Sequence, residues 1–382
     1  MKPKRWHILL ICLISFLPAL AGCWNYREVE GLAIVLGAAV DYDRDEDVII
    51  LTVEVASAVG PGPEAEIESE FIEARGRTFM GASRNVLALS GLPLFWSHAK
   101  VVVLSEELVN NKRKLMGVTD FFTRYYEPKD DAFLLLSREE SARELLVNIN
   151  TKLQGIHAVY LSEMMFNEDR SSRYLSMPIY SFKNDWQRIG IEPVIPGVRL
   201  RPGKDATLAE IYGTGVYKDD RLVGWLDGNE TEGFLFVTNR IKGGVFSGVV
   251  VEDGTEELDI SFKIISSRTR LIPRSHGGQL SMEIYVDTVL TILELGDGVL
   301  DIDIDLKNHL ENVIAPVLQK QIEDVIKKVQ KEYQSDIFGF GLAVEMKYPA
   351  LWREIRDDWD HIFPDLRTVT NVNLEIRRSG LI

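Results

Sequence analysis

Apolar and polar positions change period several times along the 382-residue chain. Residues 31–40 form an unbroken apolar run with several β-branched members, and 48–55 form a second. The polar stretch 41–47 between them predicts a β-hairpin. A short strand is predicted at 71–74. Residues 78–89 read as a helix with Phe79, Val86 and Leu89 on one face, ended by Gly91 and Pro93. Residues 99–104 read as a buried strand. Ser105 is placed to cap a helix reaching Tyr125, with Glu106 and Glu107 in the first turn, where acids suit the helix dipole. A strand at 132–136 and helices at 137–147 and 154–167 follow. The last is Met-rich, which favours core over an adaptable contact surface. Alternating strands and helices indicate a mixed α/β layer.

Pro193, Pro196, Gly197, Pro202 and Gly203 form the clearest boundary and frame a short strand at 198–200. Further strands are predicted at 209–216, 221–226, 243–251, 258–265 and 280–295. Asp253-Gly254 and Gly277-Gly278 supply turns, so the later strands suggest an antiparallel sheet. Leu306, Leu310, Val313, Ile314, Val317, Leu318, Ile322, Val325, Ile326 and Val329 step by three and four, the strongest helical period in the chain. Pro316 inside it is expected to kink or divide the helix. The expected class is α+β, with the C-terminal sheet packed by this helix rather than the helix serving as a coiled coil. The expected division is 1–22, 23–200 and 201–382, the last with a further split near 242.

The first residues carry a separate signal. Lys2, Lys4 and Arg5 precede an apolar run at 8–17 interrupted only by Ser15, and Leu20-Ala21-Gly22-Cys23 follows. A basic start, an apolar core and small residues describe a secretory signal. Small residues directly before a cysteine describe a lipobox, whose thiol takes a diacylglycerol, with an N-acyl chain as an optional addition. Residues 1–22 are expected to be removed, leaving Cys23 first. The run is too short for a membrane span, which needs about 20 apolar residues. A plain secretory signal, with Cys23 incidental, is the less specific alternative. Removing three basic residues takes Lys+Arg from 43 to 40 against 58 Asp+Glu, so the net charge goes from −15 to −18. Such a body is repelled by nucleic acid and anionic lipid. The only cysteines are Cys12 and Cys23. Cys12 leaves with the signal, so neither an internal disulfide nor a thiolate metal site is expected. The remaining body is expected to be a soluble monomer held to the membrane by lipid.

Candidate catalytic and metal patterns are weak. The acids of 41–47 alternate, but a calcium loop needs Gly at its sixth place and Glu at its twelfth. Those places hold Glu46 and Thr52, so a solvated turn is favoured. Asp301, Asp303 and Asp305 fail the same test, with Leu306 and Asn312, and are assigned to a solvated strand face. His98, His157, His276, His309 and His361 form no metal pair, and neither a G-x-S-x-G elbow nor a Walker loop occurs. Gly213-Thr214-Gly215 lacks the third glycine of a dinucleotide fingerprint. No catalytic residue, metal or further cofactor is therefore assigned.

Three stretches resemble the spore germination lipoproteins, the C subunits of nutrient germinant receptors (the Ger(x)C family). The first is Cys23-Trp24-Asn25-Tyr26-Arg27-Glu28-Val29 leading into residues 31–37, with Asn25 where the family has Asp. The second is His98-Ala99-Lys100-Val101-Val102-Val103-Leu104, with Arg124 after a helix; Tyr125 and Pro128 depart from the family pattern there. The third is Asp336-Ile337-Phe338-Gly339-Phe340-Gly341, followed by Tyr348-Pro349, Leu351-Trp352, Asp358-Trp359 and Ile362-Phe363-Pro364. Tyr348, Trp352, Trp359 and Phe363 are expected as core anchors on one helical face, before a last strand at 369–376. The resemblance implies successive mixed α/β domains. It also implies a non-enzymatic, lipid-anchored subunit working with two integral membrane partners at the outer face of the inner spore membrane. A lipid-anchored solute-binding protein with two lobes about a hinge is the alternative.

Overall fold

The computed structural model describes Trp6 and residues 31–59, 66–252, 256–295 and 304–377. Strands β1 (Ala33–Asp43), β2 (Val48–Val59) and β3 (Glu66–Gly76) form an antiparallel meander, followed by helix α1 (Phe79–Ser90). The two-residue β4 (Leu94–Phe95) pairs parallel with the start of β1. Then come β5 (Val101–Leu104), α2 (Glu106–Val109), α3 (Lys112–Arg124), β6 (Phe133–Ser137), α4 (Ala142–Val147), α5 (His157–Phe166) and α6 (Ile179–Trp186). Next are β7 (Val194–Pro202), β8 (Thr207–Lys218) and β9 (Arg221–Leu226). All nine strands make one sheet, in the order β3-β2-β1-β5-β6-β7-β8-β9 with β4 beside β1. Its middle pairs β1–β5, β5–β6 and β6–β7 are parallel.

Both faces of this middle are covered, so β5 and β6 are apolar without alternation. Val102, Leu104, Leu134 and Leu136 meet α1 and α3 through Phe79, Val86, Leu115 and Phe122. Val101, Val103, Phe133 and Leu135 face the other way, onto Leu145, Leu146, Leu161 and Met165 of α4 and α5. Met165 thus stands in the core, while Leu89 is 65% exposed and off the expected face of α1. The single helix expected from Ser105 to Tyr125 breaks at Asn110-Asn111, because Asn111 caps α3 by accepting from the Lys114 N–H.

The second sheet follows α7 (Gly228–Val237), which opens with a capping box between Asp227 and Glu230. Strands β10 (Val245–Glu252), β11 (Glu256–His276) and β12 (Gln279–Leu295) pair antiparallel. Gly277 and Gly278, at φ of 57° and 81°, make the β11–β12 turn. Helix α8 (Ile304–Lys328) crosses this sheet, and a π-helical turn (Val329–Tyr333) ends it. Short helices α9 (Phe340–Lys347), α10 (Pro349–Ile355) and α11 (Trp359–Ile362) lead to β13 (Arg367–Arg377). β13 pairs parallel with β12, an exception to the antiparallel pattern that the intervening crossover requires.

Two expectations are corrected. Pro316 does not divide α8, whose buried face continues past it through Leu310, Ile314, Leu318 and Ile322. Asp305 lies in the first turn of α8 rather than on a strand, while Asp301 and Asp303 lie outside the described residues. The boundary expected after Leu200 lies within β7, whose sheet runs on to Leu226. One hydrophobic core extends from Val35 through Phe234 to Leu374, joining the two sheets.

Candidate functional site

Cys23 and the rest of 23–29 lie outside the described residues. The remainder of the first motif enters β1, and Lys100 of the second precedes β5, its N–H donating to Leu36 O at 2.7 Å. Arg124 closes α3 and sits 3.3 Å from Asp120, which also accepts from Lys183 Nζ of α6 at 2.7 Å. The Lys183 hydrogen bond holds the Asp120 carboxyl below its usual range. Arg124 and Tyr125 line a cavity of about 450 Å3 between α1 and α3, whose other cations are Arg77, Arg113 and Lys114. Lys114 is committed: its Nζ donates to the carbonyls of Asp47 and Arg77 and lies 2.8 Å from the Asp47 carboxylate.

The third motif builds the seam between the two sheets. Gln334 turns the chain at a φ of 51° after α8, and the Asp336 side chain folds back into the core, 4% exposed. Its Oδ1 accepts from Phe340 N at 3.0 Å, and its Oδ2 accepts from Gly341 N at 2.8 Å and Trp359 Nε1 at 3.0 Å. Burial nevertheless pushes its pKa up to about 6, against those donors. The Asp336 carbonyl accepts from Glu192 N at 2.8 Å, and Leu342 N donates to Gly190 O at 3.3 Å. Gly190, at a φ of 91°, and Gly341 meet back to back: a Cβ on Gly341 would lie 2.5 Å from Gly190 Cα. Trp352 covers this contact and packs edge-on to Trp359 at 5.3 Å between ring centroids.

Trp352, Trp359 and Phe363 are core, as their size predicts, but Tyr348 is only half-buried, and the four do not share one helix. Residues 349–365 alternate α10, α11 and two 3-10 turns, Arg356–Asp358 and Phe363–Asp365. Further ties cross the seam. Lys218 Nζ donates to Gln334 O at 2.7 Å, Tyr333 OH to Trp225 O at 2.8 Å, and Lys328 Nζ to Glu230 at 2.7 Å. Ser335 Oγ donates to Tyr217 O.

Two more buried carboxylates hold helices, and the sequence reading missed both. Asp41, assigned to a solvated turn, belongs to β1 and accepts from Ala142 N and Arg143 N at 2.6 and 3.0 Å. Burial raises its pKa. Glu54 of β2 accepts from His157 N and Ala158 N at 2.8 and 2.7 Å. Each carboxylate meets the unpaired N–H groups opening a helix, α4 or α5, which is an architectural use of charge. A lone acid inside an apolar run, as in Val53-Glu54-Val55, was the available signal. Among the described residues no group of three His, Cys, Asp or Glu side chains could hold a metal ion. The described histidines sit on separate elements: His157 on α5, His276 on β11, His309 on α8, His361 on α11 and His98 in the 3-10 turn Trp96–His98. Gly213-Thr214-Gly215 lies inside β8, not in a phosphate loop.

Comparison with known proteins agrees with this architecture. Residues 25–200 match the family model of the spore germination protein N-terminal domain, and 212–380 match that of the spore germination B3/GerAC-like C-terminal domain. Their meeting point takes in the β7–β8 turn. Among curated relatives, spore germination protein YndF of Bacillus subtilis (strain 168) is 23% identical, over 100% of this chain and 98% of its own. Spore germination proteins B3 and KC of the same organism are 24% and 25% identical; B3 is matched over 97% of both chains, and KC over 99% of this chain and 97% of its own. The crystal structure of the GerBC protein superposes with a TM-score of 0.55 at 22% identity, covering 92% of this chain and all of that one, and shares its fold. With both family models matched in order, the chain belongs to the GerAC-like spore germination family.

Proposed function

We propose that this chain is the lipid-anchored, non-catalytic subunit of a receptor that triggers spore germination, working with two integral membrane subunits at the outer face of the inner spore membrane. The observation carrying this is the match of both family models, in order, over nearly the whole chain. The anchor rests on Leu20-Ala21-Gly22-Cys23. No helix among the described residues is long and apolar enough to cross a membrane. A non-catalytic role is supported by Asp41 and Glu54, buried carboxylates that cap helices. The hinged solute-binding alternative is disfavoured by the core and the Asp336 seam, which leave no hinge between the sheets. The test replaces Cys23 by Ala, followed by fractionation and a germination assay. The variant is expected to leave the membrane fraction and to slow germination. Retention on membranes in cells lacking the partner subunits would refute the lipid anchor.

A further inference from the structure

The cavity of about 450 Å3 between α1 and α3 has one wall made by a single stripe of α3. Arg113, Gly117, Asp120 and Arg124 follow one another at steps of three and four, so they share a helix face. Gly117 leaves the middle of that stripe open, since a Cβ there would meet nothing within 4 Å. Most charges on the wall are already matched. Asp120 is held by Lys183 at 2.7 Å and by Arg124 at 3.3 Å, and Lys114 is held by Asp47 at 2.8 Å. Arg113 acts on Asp47 only beyond ion-pair distance, and that carboxylate also accepts from Tyr42 OH at 3.0 Å. Arg77 and Arg113 are exposed and make no ion pair among the described residues. Lys114 keeps them at the same end of the cavity: it follows Arg113 in the chain, and its Nζ donates to Arg77 O at 3.1 Å.

Two uncompensated cations gathered at one end of a cavity repel each other, and an anion between them removes the repulsion. The planar fork of a guanidinium matches the two oxygens of a carboxylate. Beyond the arginines the wall turns apolar. Met80, Phe121 and Tyr125 line it over a floor of Ile49 and Phe79, with the Phe121 and Tyr125 rings stacked at 5.2 Å. Asp120, further along the stripe, is already balanced, so nothing there calls for a second charged group. The volume exceeds one ion and falls in the range of about 300–1,000 Å3 typical of small-molecule sites. From this arrangement we propose that the cavity between α1 and α3 binds a small organic carboxylate, its oxygens taken by Arg77 and Arg113 and its apolar body lying over Gly117 against Met80, Phe121 and Tyr125. This site is independent of the membrane anchor and of the partner subunits.

The experiment titrates the full chain, purified in an uncharged detergent, with sodium 3-phenylpropionate by calorimetry; 3-phenylpropanol and sodium phosphate serve as comparisons. Phenylpropionate is expected to bind saturably and the two comparisons are not. Arg77→Gln and Arg113→Gln change exposed side chains, and each should weaken binding by about tenfold or more, the loss expected for a charged hydrogen bond. Gly117→Leu fills the cavity from the middle of α3 and should abolish binding. It replaces a helical glycine by a better helix former, so melting should be unchanged or higher, and its heats account for any uptake of the probe by detergent. Absence of saturable heat with the wild-type chain beyond that of Gly117→Leu would overturn the proposal. So would unchanged affinity in both arginine variants, or 3-phenylpropanol or phosphate binding as tightly as phenylpropionate.

Discussion

At the scale of single residues, the most consequential contact is Trp359 Nε1 to Asp336. Trp359→Ala removes a buried ring and leaves Asp336 Oδ2 with one donor fewer. A loss of about 3–5 kcal/mol is expected, read as a lowered melting temperature together with reduced protein in spores. Normal melting with lost germination would instead make Trp359 a contact residue. Asp336 gives a pH dependence of known sign. Its folded pKa of about 6 lies above its unfolded value, so the folded chain binds the extra proton between roughly pH 4 and 6. The associated stability is present below that window and is lost as pH rises through about 6, on the order of 2–3 kcal/mol. Asp336→Asn should flatten the stability profile between pH 4 and 7. It should also lower stability at every pH, because an amide sets an NH2 against N–H donors. An unchanged slope in denaturant titrations at pH 5 and pH 7 would refute this assignment. Large aromatics such as Trp352 and Trp359 were legible as core from size alone. Asp41 and Glu54 were not, because the N–H groups they meet lie about a hundred residues away, and a lone acid in an apolar run does not say which helix it caps.

At the scale of elements, α8 was legible because its apolar period persists for seven turns. Pro316 did not override that period: it lies on the exposed side and forfeits only the bond to Asn312 O, while the opposite face stays packed. Pro316→Ala restores that bond and should stabilise the chain by about 1–3 kcal/mol; unchanged or lower melting would mean that Pro316 sets a bend the packing needs. The second half of β11 was hidden by Arg268, Arg270, Pro273 and Arg274, which do not resemble a buried strand. β10 pairs only with Glu256–Lys263, so Pro273 sits on an open edge, where its missing N–H costs nothing. Helix α7 was hidden for the opposite reason: Phe234 to Val237 are all buried, so no polar face remains to give a period.

At the scale of the whole molecule, the boundary expected after Leu200 coincides with the end of one family match and precedes the start of the next at 212, although one sheet runs through it. The prolines and glycines of 193–203 read as a boundary framing a short strand, and Gly197 and Val198 pair with Leu136 and Ser137 in mid-sheet. Strand pairing between distant segments is invisible to composition. With one core across both sheets, calorimetry of the chain should show a single unfolding transition; two well-separated transitions would refute the continuous core. The back-to-back glycines at 190 and 341 carry a mechanical consequence. With no room for a side chain between them, neither sheet can tilt against the other without first prising that contact open. A push at one end of the molecule is therefore passed across this contact as through a strut, which favours displacement or rotation of the body as a whole over hinging between the sheets.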